Sequence, residues 1–318
     1  MTRRGTFVAL CGGVGGAKLA FGLNARLGDR LTIIANTGDD FTHLGLHISP
    51  DIDTILYTLS ARANRELGWG RADESWNFMS ALAEIGGETW FRLGDRDLAL
   101  HIERTRRLGE GQSLSEIVQD FASRFGIASR IAPMSDHAVS TLVDTDEGLL
   151  PFQHYFVRRR CEPRVLSVSF HKQRDAAISR PARAALEDPD LEGIIVCPSN
   201  PYLSIDPILS APGMTDTLRR AACPIVAVSP LVGNKAVKGP TAKLMGELGL
   251  AVANRTIAAH YHGLIDALIV DESDRDDVEF GARAFVAKTL MLTDADRLRL
   301  ADDVLHCIGG IATAGPRP

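Results

Sequence analysis

The sequence predicts an α/β fold: a Rossmann-like, doubly wound, mainly parallel sheet with a helical and antiparallel-β insertion. Three observations predict it. Short continuous apolar runs alternate with helical patterns: TFVALC at Thr6–Cys11, LTIIA at Leu31–Ala35, GIIVC at 193–197, PIVAV at 224–228 and LIDALIV at 264–270. Strands apolar on both faces are those covered by helices on both sides. A glycine loop follows the first run and opens a helix over 17–27, the entry to a βαβ unit. The middle of the chain then departs from the alternation, with long helical patterns followed by antiparallel strands.

Taken in order, residues 74–85 and 95–125 read as mostly helical, and Ser113-x-x-Glu116 forms a capping box that opens a helix over 114–125. A short strand is expected at 130–132. Strands at 141–144 and 152–158 flank a turn at Glu147-Gly148. Helices near 214–222, 240–249 and 256–263 separate the later strands. The core is therefore expected from residues 1–60 and 176–318, with 61–175 as an insertion packed against it and a frayed tail at 312–318.

Composition narrows the function classes. Thirty-five Lys and Arg stand against 40 Asp and Glu, a net charge of −5, so no general basic field attracts nucleic acid. The 45% hydrophobic and 24% charged content is that of a soluble globular protein, and no apolar stretch reaches the roughly 18 residues of a membrane span. Arg3-Arg4 followed by apolar residues imitates a signal peptide, but the glycines and Lys18 inside that stretch suit a strand and loop. Cys11, Cys161, Cys197, Cys223 and Cys307 form no C-x-x-C pair, which fits free thiols in a reducing cytoplasm.

The chemistry starts at Gly12-Gly13-Val14-Gly15-Gly16-Ala17-Lys18. Without Cβ atoms the backbone can approach an anion, and free N–H groups with the helix dipole supply positive potential. The pattern is neither a Walker A loop nor G-x-G-x-x-G, and a tight strand-to-helix turn would use the same glycines. Asn36-Thr37-Gly38-Asp39-Asp40 follows the second strand, and Ser49-Pro50-Asp51-Ile52-Asp53 comes soon after. Ser49 as N-cap, Pro50 at N1 and first-turn acids make an ordinary helix start. Yet four carboxylates at one sheet edge repel one another unless solvated or neutralised, and beside a phosphate loop the fitting cation is Mg²⁺.

Further polar clusters follow strands or open helices: Arg92 with Asp95-Arg96-Asp97 and His101, Ser135-Asp136, Ser199-Asn200, and Asn234, Lys235, Lys238 and Lys243. Singly each reads as a cap, turn or solvated face; together they place polar loops after three strands, where open α/β sheets bind ligands. No zinc spacing and no G-x-S-x-G elbow occurs. Trp69, Trp76 and Trp90 serve either the core or a stacking wall for a flat ligand.

The motifs GGVGGAKLA, NTGDDF, HISPDIDTILYTL, GWG with ESWN, WFRLGDRDLALHI, PMSD, PFQHYFV, CPSNPYLSIDPIL and SPLVGNKAVKGPTAKLM occur in one order from about residue 6 to 290. In this the chain resembles the 2-phospho-L-lactate transferase family of coenzyme F420 biosynthesis. The resemblance implies transfer of a phosphorylated three-carbon acid (phospholactyl, enolpyruvyl phosphate or phosphoglyceryl) from a guanosine diphospho-donor to the ribityl hydroxyl of the deazaflavin FO, with release of GMP. It also implies Mg²⁺ and a homodimer, with the 61–175 insertion forming part of the deazaflavin site.

On that reading Gly12, Gly13, Gly15, Gly16, Lys18, Ser199, Asn200, Asn234, Lys235 and Lys238 hold the nucleotide and phosphates. Asp39, Asp40 and Asp53 surround the metal. Asp53, Arg92, Asp51 and Arg96 face FO, and Asp53 with Asp40 carries catalysis. His137 stands where an acidic or small polar residue is expected; it is either a surface change or a donor-selecting residue. The alternative function is a non-enzymatic nucleotide-sugar-binding regulator of the same fold, which shares the glycine loop and the NTGDD-like segment. A nicotinamide oxidoreductase is opposed by the glycine pattern.

Overall fold

In a computed structural model, which describes residues 5–172, 176–237, 239–276 and 282–313, seven strands form one parallel sheet. They are β1 (Thr6–Cys11), β2 (Leu31–Ala35), β3 (Arg130–Pro133), β4 (Leu191–Val196), β5 (Ile225–Val228), β6 (Ala267–Asp271) and β7 (Arg283–Ala287). Their order across the sheet is 3-2-1-4-5-6-7, so the winding reverses between β1 and β4. This is the doubly wound arrangement expected from the apolar runs. Pairing of Cys11 with Ala35 and of Leu10 with Val196 aligns the carboxyl ends. The ladder continues one step beyond, as Asn36 N–H donates to Cys11 O at 3.0 Å and Cys197 N–H to Leu10 O at 3.0 Å.

Alternate strand residues enter two cores. On one face Phe7, Ala9, Ile33 and Ile195 pack under helices α1 (Gly13–Leu27) and α2 (Pro50–Leu59) and under the C-terminal helix Asp294–Thr313. On the other, Val8, Leu10, Ile34 and Ile194 meet the helices around Ala182, Met214 and Ile257. Burial on both faces is why these strands read as unbroken apolar runs. Among the described residues no helix is long and apolar enough to cross a membrane, and the five cysteines are free thiols.

The segment 61–175 does two things. Its helix α5 (Leu114–Arg124) buries Ile117, Val118 and Phe121 in the main core and leads into β3, the sheet's edge strand. The capping box is present: Ser113 accepts from Glu116 N–H, and Glu116 accepts from Ser113 N–H. The remainder, α3 (Asn77–Glu84), α4 (Asp95–Gly109) and a three-stranded antiparallel sheet, lies beyond the carboxyl edge. That small sheet joins Gly148–Pro151, Val139–Thr145 and Val165–Lys172. The strand expected at 152–158 is a correction: His154–Arg158 forms a π-helical turn. Phe152 and Tyr155, three residues apart, are buried while Phe156 is exposed, a helical rather than an alternating pattern.

Candidate active site

Loops following β1, β2, β4, β5 and β7 open on one cavity of about 770 Å³, closed on its far side by α2 and the insertion. The switch point between β1 and β4 forms its floor. Ser199 locks the two loops there, its hydroxyl donating to Gly12 O at 2.7 Å and receiving Gly12 N–H at 3.3 Å. The fit explains the glycines. A Cβ on Gly15 would stand 2.5 Å from Pro198 O, and one on Gly16 would stand 2.4 Å from Ser199 Oγ. Packing of α1 against the 198–199 loop thus requires glycine at both positions. Gly13 has room but a left-handed φ of 64°. Its N–H donates to Asp51 Oδ1 at 2.8 Å. The next N–H groups, of Val14 and Gly15, meet no side-chain acceptor among the described residues and lie in the cavity wall. Free N–H groups at a helix N-terminus form an anion-binding surface.

The four acids, alike in sequence, have different fates. Asp51 also accepts Asn36 Nδ2–H at 2.9 Å, and burial, partly offset by these hydrogen bonds, pushes its carboxyl up to about 6. Asp39 is buried in the cavity wall, and its Oδ1 has no hydrogen-bond partner among the described residues. Burial, with the Asp51 charge next, holds it well above the usual carboxylate range. Asp40 stands behind the wall rather than in it. Ser49 donates to its Oδ2 at 2.7 Å and His47 Nε2 lies 3.2 Å away. Ser49 thus occupies the N-cap position without capping through its side chain. Asp40, half-buried, ties the start of the hairpin Phe41–Ile48 to Ser49, and it lies outside the cavity lining in which the other three acids stand.

Asp53 does more than charge the first turn of α2. Arg104, fully buried on α4, forks it: Nη1 donates to Oδ2 at 3.1 Å and Nη2 to Oδ1. Next to the pair, His101 Nδ1 lies 3.6 Å from Asp53 Oδ2, and its Nε2 lies 3.2 Å from Asp97 Oδ2. Tyr57 donates to Asp97 Oδ1 at 2.5 Å. Although burial opposes it, the His101 contact with Tyr57 and Arg104 holds the Asp97 carboxyl low. Ligand atoms of Asp53, Asp97 and His101 lie within 4.8 Å of one another. Arg104 already supplies a positive charge to Asp53, so this cluster holds a built-in counter-charge for that carboxylate. Arg104 escaped sequence reasoning. The signal was present: Leu100, His101 and Arg104 are the buried residues of α4 and share one helical stripe.

Above the acids stands an aromatic wall of Tyr57, Trp69, Trp90, Phe91, Phe152 and Phe156. Trp90 packs edge-on to His43 at 5.0 Å and to His154 at 4.9 Å, joining the hairpin to the insertion. Arg92 lies over the Trp76 ring at 4.2 Å and reaches the cavity. Of the expected residues, Gly12, Gly13, Gly15, Lys18, Asp39, Asp51, Asp53, Arg92, Ser199 and Asn200 line this one space. Arg96, Asn234 and Lys235 do not. Arg96 is exposed, and Asn234 turns its N–H to Asp274 at 2.7 Å, lining a separate open pocket. Gly16 packs beneath the wall, and Lys238 lies outside the described residues. His137 is exposed and away from the cavity.

Comparison with known proteins bears on this cavity. A family model described as 2-phospho-L-lactate transferase CofD matches residues 7–306. The chain is 39% identical over 304 residues to a 2-phospho-L-lactate transferase of Methanosarcina acetivorans, covering 94% of this chain and 97% of that one. It is also 39% identical over 300 residues to a phosphoenolpyruvate transferase of Streptomyces griseus, covering 91% and 93%. A Bacillus halodurans member of the UPF0052 family superposes with a TM-score of 0.64 at 15% identity, covering 95% of this chain and all of that one, which shows a shared fold.

Proposed function

The chain belongs to the 2-phospho-L-lactate transferase family, and from that premise we propose that it moves a phosphorylated three-carbon acid from a guanosine diphospho-donor to the ribityl hydroxyl of FO, releasing GMP. One observation carries the proposal: a single cavity joins a helix N-terminus with free N–H groups to an aromatic wall edged by carboxylates. The first suits a diphosphate, the second a flat ring bearing a polyol.

The ribityl oxygen attacks the phosphorus that carries the acid, and the bond from that phosphorus to the bridging oxygen of GMP breaks. Little covalent help is needed for such a step; positioning and charge stabilisation dominate. The Val14 and Gly15 N–H groups and the Ser199-Asn200 loop would receive the diphosphate. Asp53, fixed by Arg104, would accept the hydroxyl's hydrogen bond and set its line of attack. In a loose transition state the hydroxyl proton leaves late, so an orienting carboxylate is enough.

The residues fit a divalent cation as well. Asp39 offers a buried oxygen without a partner among the described residues, and Asp51 lies close enough to raise its proton affinity. Asp40 also has a buried oxygen without a partner among the described residues but stands outside the cavity lining, and Asp53 is paired with Arg104, so Asp39 and Asp51 would hold Mg²⁺. When bound, it would neutralise the carboxylates and charge on the transferring phosphoryl oxygens.

The names of the relatives support both a phospholactyl and an enolpyruvyl donor. Incubating the protein with FO, Mg²⁺ and each guanylylated acid in turn tests the reading by product mass. The expected result is a phospho-acid diester of FO together with GMP. No product from any donor, with tight binding of a UDP-sugar instead, would favour the regulatory alternative.

A further inference from the structure

Three consecutive arginines, Arg158 to Arg160, run through and beyond the end of the π-helical turn, and they are treated differently. Arg158 lies 5.9 Å from the centre of the Trp90 ring, and Arg159 pairs with Glu147 at 2.6 Å. Arg160 lines the cavity and has no hydrogen-bond, ion-pair or ring partner among the described residues. The other basic side chains of the cavity wall are engaged: Lys18 donates to Met291 O at 2.8 Å, Arg92 covers Trp76, and His101 sits between two carboxylates.

The backbone that presents Arg160 is unusual. Arg160 and Cys161 have consecutive left-handed φ values of 50° and 57°, and neither is glycine. Each such residue costs about 1–2 kcal/mol. The strained pair follows directly after a π-helical turn and its cap residue Arg159, and such turns recur at functional sites. Arg160 is exposed, so burial of its own side chain does not offset that cost.

The cavity is also uneven in charge. Asp39 in the loop after β2, Asp51 and Asp53 on α2 and Asp97 on α4 line one side of it, where an anionic substrate would be repelled. A donor carrying a diphosphate and a carboxylate needs a cation beyond the helix N-terminus. Guanidinium binds both oxyanions through paired N–H groups.

Resting on the transferase reading above, we propose that Arg160 is a donor-recognition residue, forking an oxyanion of the donor (the acid's carboxylate or a phosphate) from the insertion side of the cavity. The test measures equilibrium binding without turnover, using Arg160→Gln and Arg160→Lys beside the wild type. Probes are the guanylylated phospholactate alone, GDP alone and FO alone, with the melting temperature of each variant. Arg160→Gln is expected to weaken the complete donor about 10- to 100-fold, the range of one charge-assisted pair. Arg160→Lys should lose less, FO affinity should hold within about twofold, and melting should not change. An equal loss for GDP assigns the phosphate; an intact GDP affinity assigns the carboxylate. A donor affinity within about threefold of wild type, or a matching loss for FO, overturns the proposal. Wild type that binds donor but yields no product with FO would sink the transferase reading and leave the Arg160 result standing.

Discussion

The two walls of the cavity are built by different means. The switch-point wall is backbone: two loops after adjacent strands, locked by Ser199 and closed so tightly that Gly15 and Gly16 tolerate no Cβ. The insertion wall is side chain: Arg104 and His101 from α4, Trp90 from the loop before it, and Arg160 from beyond the π-helical turn. A backbone site depends on a few adjacent residues in a set order. A side-chain site depends on segments far apart in sequence that must converge, and in this chain its Arg104–Asp53 pair is buried. The first should therefore fail by steric collision, the second by leaving a charge unpaired.

The largest expected effect falls on the insertion wall. Arg104→Met leaves the Asp53 carboxylate buried without its partner, which should cost about 3–5 kcal/mol of stability. Asp53→Asn leaves Arg104 unpaired and should cost a similar amount. The double variant Arg104→Met/Asp53→Asn should recover part of that loss in urea denaturation. Additive losses would mean that the two residues act separately. A first-turn acid on α2 would contribute only about 0.3–1 kcal/mol, so the size of the effect separates the accounts.

On the switch-point wall, Gly15→Ala forces a methyl against Pro198 O and should destabilise by about 1–3 kcal/mol. Gly13→Ala meets no atom closer than 3.8 Å but keeps a left-handed φ, and should cost about 1–2 kcal/mol. Both are read by thermal or urea melts. Gly15→Ala melting at the wild-type temperature would show that the loop needs glycine for ligand access alone.

Next in size is the cation. Mg²⁺ at tenfold over its dissociation constant should stabilise the wild type by about 1.4 kcal/mol, and Asp39→Asn and Asp51→Asn should each abolish the gain. In chelator the sign of the pH effect is fixed. Asp51 is raised from 3.8 to about 6 in the fold, so its contribution is fully present below its unfolded value and is lost as pH rises through about 6. Asp51→Asn, which does not titrate, should gain on the metal-free wild type across that window. A constant difference between them would contradict this assignment. The smallest effect is at His137. His137→Asp should leave kcat/KM within about twofold for every donor, since the residue is exposed away from the cavity.

The difference between the walls also accounts for what could be read from the sequence. The parallel sheet was legible because its strands are apolar on both faces, and the Gly12, Gly13, Gly15, Ser199 and Asn200 positions because each directly follows such a strand. Asp39 is legible for the same reason, and Asp51 because it stands in the first turn of a helix whose start Ser49-Pro50 announces. What separates them from Asp40 was not, because only tertiary contacts turn Asp40 toward Ser49 and His47. Arg104 in an otherwise charged helix reads as a solvated residue until the buried stripe it shares with Leu100 is counted. Asn234 and Lys235 follow a core strand too, but the short hairpin Leu231–Val232 with Lys235–Ala236 carries them away from the cavity. The apolar and aromatic residues of segment 152–158 are β-formers and predict a strand; the three-residue spacing of the buried Phe152 and Tyr155 decides against it.

The central claim is that one cavity holds donor and acceptor together, one on each wall. Titrating FO fluorescence with the protein, first alone and then with saturating GDP and Mg²⁺, tests it most directly. The account predicts a ternary complex, with FO affinity unchanged within about threefold or tightened by GDP. Displacement of FO by GDP, with apparent FO affinity falling in proportion to GDP concentration, would mean that the two ligands share one wall and would contradict it.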